Sequence, residues 1–282
     1  MNDKKDSAVT ESREVFSIKR EKSRIPLIAH IPHSSAYIPP RFRQSIVLND
    51  HDLEKELLFM TDRYTDDLFS CVREIGGIAI RYNYSRLVFD PERFEDDDTE
   101  VMASRGMGVM YEKTSDGKKL RERPSPEERE HILESFYRPY HRAMNEETAE
   151  LLTRFGRCLI LDCHSFPSRP LPYELDQNPL RTNVCLGTDP YHTPEPLIND
   201  IRSFMADHGF SAAINRPFAG TYVPAKFLGT DNRVMSIMIE VNRRLYMNEE
   251  TGERLSGFDR VKALCNDLVR FIAQRRFPGN DL

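Results

Sequence analysis

The sequence contains no tryptophan, no long apolar run and no excess of basic charge. Forty lysine and arginine residues stand against 45 aspartate and glutamate residues, which gives a formal net charge of −5 at pH 7. This balance does not favour a partner such as nucleic acid or an anionic membrane surface, because both select concentrated basic patches. No apolar run approaches the roughly 20 residues that a membrane-spanning helix needs. Function is therefore expected to reside in local clusters of polar residues.

Cysteine is also scarce, with five residues and no C-x-x-C pair. Structural zinc held by paired thiolates is therefore not expected. The N-terminal segment has no apolar stretch of the kind that a secretion signal contains. These features together predict a reduced, cytoplasmic protein.

The chain is predicted to be a mobile N-terminal arm over residues 1–22, because this segment is rich in charge and poor in apolar residues, followed by one domain over residues 23–282. Apolar steps of three and four predict amphipathic helices near 50–75, 126–154, 195–208 and 257–276. Apolar runs predict strands within 25–35, 78–90, 157–163, 182–187 and 234–241. This alternation favours an α/β fold with a mixed, largely parallel sheet flanked by helices. The charged segment 95–126 is predicted to be a surface excursion.

Three of the predicted strands end in polar residues. His33 follows the first, Asp162, Cys163 and His164 end the second, and Glu240 lies within the third. A carboxylate in an apolar strand is costly unless a cation or a metal compensates it. Two imidazoles and a carboxylate near the carboxyl ends of strands form a donor set that suits catalytic zinc.

Each of these residues also has a structural interpretation. A histidine at a strand end can simply be hydrogen bonded, and Asp162 can orient a histidine or cap a turn. Glu240 can pair with Arg243 or Arg244. Cys163 can be the nucleophile of a cysteine amidase, although neighbours on a strand point to opposite faces and do not easily pair. The coincidence of three such strand ends favours the metal.

The sequence resembles the N-formylglutamate amidohydrolase family, whose fold is related to that of the zinc carboxypeptidases. The resemblance runs from about residue 26 to 250, in the segments PHSSAYIP, TDRYTDDLF, YSRLVFDPERF, YRPYHRAM, LDCHSFPS, RPFAGTYVP and IMIEVNRRLYM. It implies a carboxypeptidase-like (phosphorylase/hydrolase-like) fold and a zinc-dependent amidohydrolase with a small acidic substrate, N-formyl-L-glutamate, cleaved to formate and L-glutamate. The alternatives are a non-catalytic relative that binds acidic ligands and a broader N-acyl amino acid hydrolase.

The resemblance also implies roles for individual residues. His33, Asp62 and His164 are expected to hold one zinc ion per chain. Glu240 is expected to act as the general base, and Arg86 to stabilise the oxyanion of the transition state.

Further residues are implied to bind the substrate. Arg86 and Arg93 suit its carboxylates, because guanidinium groups bind carboxylates through two hydrogen bonds. Thr221 and Tyr222 are expected to contact it as well. His141 matches the family and is expected to support the site or to pack.

Asp62 falls on the polar side of the apolar stripe in its predicted helix. It must therefore lie at a helix start or break in order to reach a metal. Asp66 and Asp67 are the alternative oxygen ligands in the same segment.

The sequence departs from the family pattern in three places. Ser35 replaces the glycine of P-H-S-G, Ala219 replaces the first of two glycines, and Glu92 replaces the asparagine of D-x-N-R. The last change removes an amide that could bind substrate and adds a carboxylate that could repel an acidic one. These departures bear on the substrate more than on the metal.

Overall fold

A mixed sheet of seven strands forms the centre of the computed structural model, which describes residues 14–20 and 25–275. The strands are β1 Phe16–Arg20, β2 Leu27–Ile31, β3 Ile78–Tyr82, β4 Cys158–Phe166, β5 Val184–Gly187, β6 Ala212–Ile214 and β7 Val234–Asn242. Their order is β1-β3-β2-β4-β7-β5-β6. Strands β3, β2, β4 and β7 are parallel to one another, whereas β1 and β5 run antiparallel to β3 and β7. The predicted mixed α/β sheet is confirmed.

Helices flank the sheet. They are α1 Pro40–Arg43, α2 Asp50–Met60, α3 Thr65–Leu68, α4 Cys71–Glu74, α5 Pro126–Ile132, α6 Arg138–Phe155, α7 Glu195–Asp207 and α8 Phe258–Ala273. A π-helical turn, Leu133–Tyr137, joins α5 to α6. No helix within the described ranges is both long enough and apolar enough to cross a membrane.

Strands β2, β4 and β7 are buried on both faces, and alternate residues point to opposite sides. Leu159, Leu161 and Cys163 pack in a cluster with residues of α7 and α8, and we call this side of the sheet the α8 face. Ile160 packs in another cluster with residues of α6, and we call that side the α6 face. The chemically active strand residues lie on the α6 face, near the carboxyl ends of the parallel strands.

The helical segment predicted over residues 50–75, as one helix or two in series, is three helices. It breaks after Met60, where Thr61 adopts extended backbone, and Tyr64 then takes a left-handed conformation with φ of 72°. No glycine or proline marks this break, so apolar spacing alone did not reveal it. The strand predicted over 78–90 likewise ends at Tyr82.

The predicted arm is wrong for Phe16–Arg20, which forms the edge strand β1 against β3. Val15, Phe16 and Ile18 pack against the cluster on the α6 face. The prediction missed this strand because charged residues outnumber these few apolar ones in the N-terminal segment. Residues 1–13 and 21–22 of the predicted arm lie outside the described residues.

The segment 95–126 is more than a surface excursion. It contains a 3₁₀ helix, Val101–Arg105, and its side chains Met107, Tyr111 and Leu120 are fully buried. They pack in a third apolar cluster with Leu53 of α2. This packing holds the segment in place where Glu100, Val101 and Met102 line the main cavity.

Candidate active site

His33, Asp62 and His164 converge beyond the carboxyl end of the parallel strands. His33 follows β2, His164 lies on β4, and Asp62 lies in the break between α2 and α3. The Asp62 N–H donates to the carbonyl oxygen of His33 at 2.9 Å, which ties the break to the end of β2. Asp62 Oδ2 is 3.0 Å from His164 Nδ1 and 3.7 Å from His33 Nδ1. All three side chains are buried.

A carboxylate holds the far side of each imidazole. Asp90 Oδ1 lies 2.8 Å from His33 Nε2, and Asp162 Oδ1 lies 2.9 Å from His164 Nε2. Carboxylates orient metal-ligating histidines in this way. Both Nδ1 atoms then face Asp62, and the buried Nδ1 of His33 has no hydrogen-bond partner. This unpartnered nitrogen, in a set of two nitrogens and one oxygen, fits a zinc ion.

The alternative acids lie elsewhere. Asp67 forms an ion pair with Lys262 at 2.5 Å, and Asp66 Oδ2 is 3.2 Å from Arg81 Nε. Neither belongs to a group of possible metal donors among the described residues. Of the three acids in this segment, the structure therefore brings Asp62 to the two histidines.

Arg243 anchors Asp62 and not Glu240. Its Nη2 donates to Asp62 Oδ1 at 2.7 Å, which leaves Oδ2 turned to the histidines. Burial alone would raise the pKa of Asp62. The hydrogen bond with His164, the nearby His33 imidazole and the charge of Arg243 nevertheless hold that pKa well below its usual range. Asp62 is therefore an ionised oxygen donor.

Glu240 lies beside His164 in the register of β4 and β7. It is 7% exposed and lines the cavity, and its buried Oε2 has no hydrogen-bond partner. Burial raises the pKa of its carboxyl to about 8. A carboxyl group with a pKa near the working pH is suited to take up and return a proton.

Cys163 points to the α8 face, away from this cluster. Its thiol is fully buried in the apolar core and donates to the carbonyl oxygen of Leu161 at 3.2 Å. Burial raises the pKa of the thiol well above its usual value, so the reactive thiolate is disfavoured. The cysteine amidase alternative does not fit this geometry.

Arg86 and Arg93 line the same cavity as the histidines. Arg86 Nη2 donates to Asp90 Oδ2 at 2.7 Å and its Nε to the Tyr111 hydroxyl at 3.0 Å. Arg93 is 3.7 Å from Asp90, and its buried Nε has no hydrogen-bond partner. Asp90 thus joins His33 to the arginines. The sequence alone predicts no role for Asp90, although its position directly after an apolar run is a signal.

Glu92 is the second residue that the sequence did not place in the site. Its Oε1 lies 3.0 Å from His164 Nε2 and its Oε2 lies 3.5 Å from His33 Nδ1. It belongs to a group of possible metal donors with His30, Asp162 and His164, and to another with His33 and Asp90. The departure from D-x-N-R was the signal that this position is unusual.

Tyr222 and Thr221 both line the cavity. The Tyr222 N–H donates to Asp162 Oδ2 at 2.8 Å, and its hydroxyl lies 3.2 Å from His141 Nδ1. Burial lowers the pKa of His141 to about 4, so this imidazole is neutral at physiological pH. Tyr222 therefore helps to hold Asp162, with His141 behind it. Contact of Thr221 and Tyr222 with a substrate stays a prediction.

Known proteins resemble this chain over most of its length. A family model described as N-formylglutamate amidohydrolase matches residues 25–247. An N-formylglutamate deformylase of Pseudomonas aeruginosa is 29% identical over 242 residues, which cover 84% of this chain and 87% of that protein. One from Pseudomonas putida is 27% identical over 233 residues, covering 81% and 84%.

Solved structures resemble it as well. The crystal structure of an N-formylglutamate amidohydrolase from Ralstonia eutropha superposes with a TM-score of 0.78 at 26% identity, over 92% of this chain and 96% of that chain. A gene product of Agrobacterium tumefaciens shares the fold, with a TM-score of 0.68 at 16% identity over 92% and 95% of the two chains.

Proposed function

Because the chain belongs to the N-formylglutamate amidohydrolase family, we propose that it is a zinc-dependent amidohydrolase of small N-acyl amino acids. N-formyl-L-glutamate, converted to formate and L-glutamate, is the reference substrate, since the two Pseudomonas relatives are named as its deformylases. One observation carries the proposal. The Nδ1 atoms of His33 and His164 face Asp62 Oδ2 beside the buried carboxyl of Glu240.

His33, Asp62 and His164 would hold the metal. Zinc held by three protein ligands keeps a fourth position open, lowers the pKa of water there and polarises a carbonyl oxygen. Asp90 and Asp162 keep the two imidazoles oriented for this role, because each accepts a hydrogen bond from an Nε2.

Glu240 is the proton carrier of the proposed reaction. It takes one proton from the attacking water and returns it to the amide nitrogen as the carbon–nitrogen bond breaks. Water is thereby divided between the two products, the carboxylate and the amine. The carboxyl group lines the cavity and has no hydrogen bond on its buried Oε2, so this oxygen is free to exchange a proton with the reacting groups.

Arg86 supports the developing negative charge on the carbonyl oxygen. Asp90 and Tyr111 hold its guanidinium in place, so little reorganisation is needed when that charge appears. Arg93 lies farther from Asp90 than Arg86 does, at 3.7 Å against 2.7 Å, and would bind the α-carboxylate of the substrate.

The test uses two acids of the same segment. In zinc-loaded protein, Asp62→Asn should lose most of the bound metal and nearly all turnover of N-formyl amino acids. Asp67→Asn, whose carboxylate pairs with Lys262, should keep both. Metal content is measured by elemental analysis and turnover by product release. Full metal content in Asp62→Asn contradicts the ligand set, and tight binding without turnover in the unaltered protein favours a non-catalytic relative.

A further inference from the structure

Of the guanidinium groups in the cavity, that of Arg93 has the weakest contact with a carboxylate. The cavity has a volume of about 880 Å³ and, within the described residues, it is lined by three arginines and no lysine. Arg243 donates to Asp62 and Arg86 donates to Asp90, each at 2.7 Å. Arg93 is 3.7 Å from Asp90, and its Nε has no partner. One such cation suits one substrate carboxylate.

Glu92 opposes a second carboxylate. Its side chain lines the cavity next to Arg93 and is 16% exposed. Across the described ranges its ion-pair partners are imidazoles, at 3.5 Å from His30, 3.5 Å from His33 and 3.0 Å from His164, with no arginine or lysine among them. Like charges repel more strongly in a partly buried site than in water. An acidic substrate side chain is therefore disfavoured beside it.

The rest of the cavity wall includes exposed apolar side chains. The described residues contain nine large apolar side chains that are exposed, and four of these line this cavity: Phe59, Phe94, Val101 and Leu175, between 37% and 69% exposed. Exposed apolar surface gathered at one cavity is typical of a binding site. The volume is near the upper end for pockets that hold drug-sized ligands, whereas N-formylglutamate has only about a dozen non-hydrogen atoms. The cavity therefore has room for an apolar group.

Hydrogen bonds order the segments that carry these apolar side chains. The Glu100 carboxylate accepts from the N–H of Phe94 at 3.0 Å and from the N–H of Met102 at 2.9 Å. Arg105 Nη1 donates to the carbonyl oxygen of Tyr173 at 2.8 Å, which joins the 3₁₀ helix to the loop that also lines the cavity. The apolar wall is therefore an ordered surface.

Resting on the proposed function, we propose that the preferred substrates are N-formyl amino acids with a single carboxylate and an apolar side chain, such as N-formyl-L-leucine. The α-carboxylate pairs with Arg93. Phe94, the residue after Arg93, lines the same cavity, so a substrate held at Arg93 can place its side chain on the apolar wall. Glu92 makes the site selective against N-formyl-L-glutamate.

The experiment compares kcat/KM for N-formyl-L-leucine and N-formyl-L-glutamate on the zinc-loaded full chain. We expect the leucine derivative to be favoured about tenfold or more. Because Glu92 also contacts His33 and His164, the test is the ratio of the two values: Glu92→Gln should raise kcat/KM for the glutamate derivative relative to that for the leucine derivative about tenfold. Leu175→Ser should lower kcat/KM for the leucine derivative. Leu180→Ser, a matched control at 86% exposure outside the cavity, should not.

The inference is overturned if the unaltered protein turns over N-formyl-L-glutamate as well as N-formyl-L-leucine, or if Glu92→Gln changes both values equally. Absence of turnover with both compounds would refute the proposed function instead. In that case calorimetric titration of the same zinc-loaded protein decides the substrate class. Tighter binding of the leucine derivative supports it, and equal, weaker or no binding refutes it.

Discussion

The two faces of β4 differ in chemistry although they belong to one apolar run of sequence. On the α8 face, Leu161 and Cys163 lie among aliphatic side chains. On the α6 face, Ile160 is equally buried, but Asp162 and His164 continue the same row with charged and titratable groups. Burial does not separate the two faces, since every one of these side chains is almost fully covered. The difference lies in the partners that each polar atom finds.

The two faces of strand β7 also differ, and here the polar side chain lowers the stability of the fold. Ile239 packs on the α8 face, while its neighbour Glu240 is buried beside His164 with an unpartnered oxygen. A buried carboxylate without full hydrogen bonding is unfavourable for folding. The α8 face therefore supplies stability, and the α6 face places reactive groups at some expense of stability.

The largest expected effect sets His164 against its neighbour Cys163. His164→Ala should lose the bound zinc and reduce turnover by more than about a thousandfold, because a three-ligand site loses one ligand. Cys163→Ala should keep metal and turnover and lose about 1–2 kcal/mol of unfolding free energy. Elemental analysis, steady-state kinetics and urea unfolding measure these outcomes. Zinc retained in His164→Ala, or lost in Cys163→Ala, would reverse the assignment of the faces.

The second effect makes the same comparison on β7. Glu240→Gln should keep the metal but lower kcat at least about a hundredfold, the lower scale of general acid–base catalysis. Ile239→Val should leave kcat unchanged and lower the unfolding free energy by about 0.5–1.5 kcal/mol. A near-normal kcat in Glu240→Gln would make Glu240 a structural residue.

A smaller effect on zinc affinity is expected for Asp90, which contacts the proposed ligand His33. Asp90→Asn should weaken zinc binding about 10- to 100-fold, because a neutral amide orients the His33 imidazole less strongly than a carboxylate. Competition with a chelator measures this affinity. Asp66→Asn, in the segment that contains Asp62 but paired with Arg81, is the control and should bind zinc normally. Equal zinc affinities in both variants would show that Asp90 does not support the metal site.

The smallest effect concerns stability in metal-free protein. Burial raises the pKa of Glu240 from 4.5 to about 8, so between these values the folded chain retains a proton that the unfolded chain releases. This group therefore lowers stability as pH rises. Glu240→Gln removes the effect, and its gain in Tm should grow from near zero at pH 4 to a few degrees at pH 8. A gain that does not depend on pH would show that the carboxyl titrates normally.

The sequence was sufficient to predict that His33, His164 and Glu240 lie close together, because parallel strands end at the same edge of a sheet. It was insufficient for Asp90 and Glu92. Both lie in an irregular segment after β3, and no local pattern states whether such a segment folds back over the sheet. Their positions depend on long-range packing, in particular on contacts with the histidines.

Helix boundaries show the same limit. The apolar spacing over 50–75 predicted helical residues correctly, but the break that brings Asp62 to the site depends on Tyr64 in a left-handed conformation, which its side chain does not favour. The long-range hydrogen bond from the Asp62 N–H to His33 helps to hold that break.

The edge strand β1 has a practical consequence for producing this protein. It covers the backbone hydrogen-bonding groups of β3, whose residues Ile78, Ile80 and Tyr82 would otherwise form a bare, apolar sheet margin. A chain shortened to begin at residue 25, where the family match starts, would present that margin to other molecules. Uncovered edges recruit strands from neighbouring chains. Truncation at the family boundary would therefore yield aggregates, and expression should retain the chain from at least residue 14.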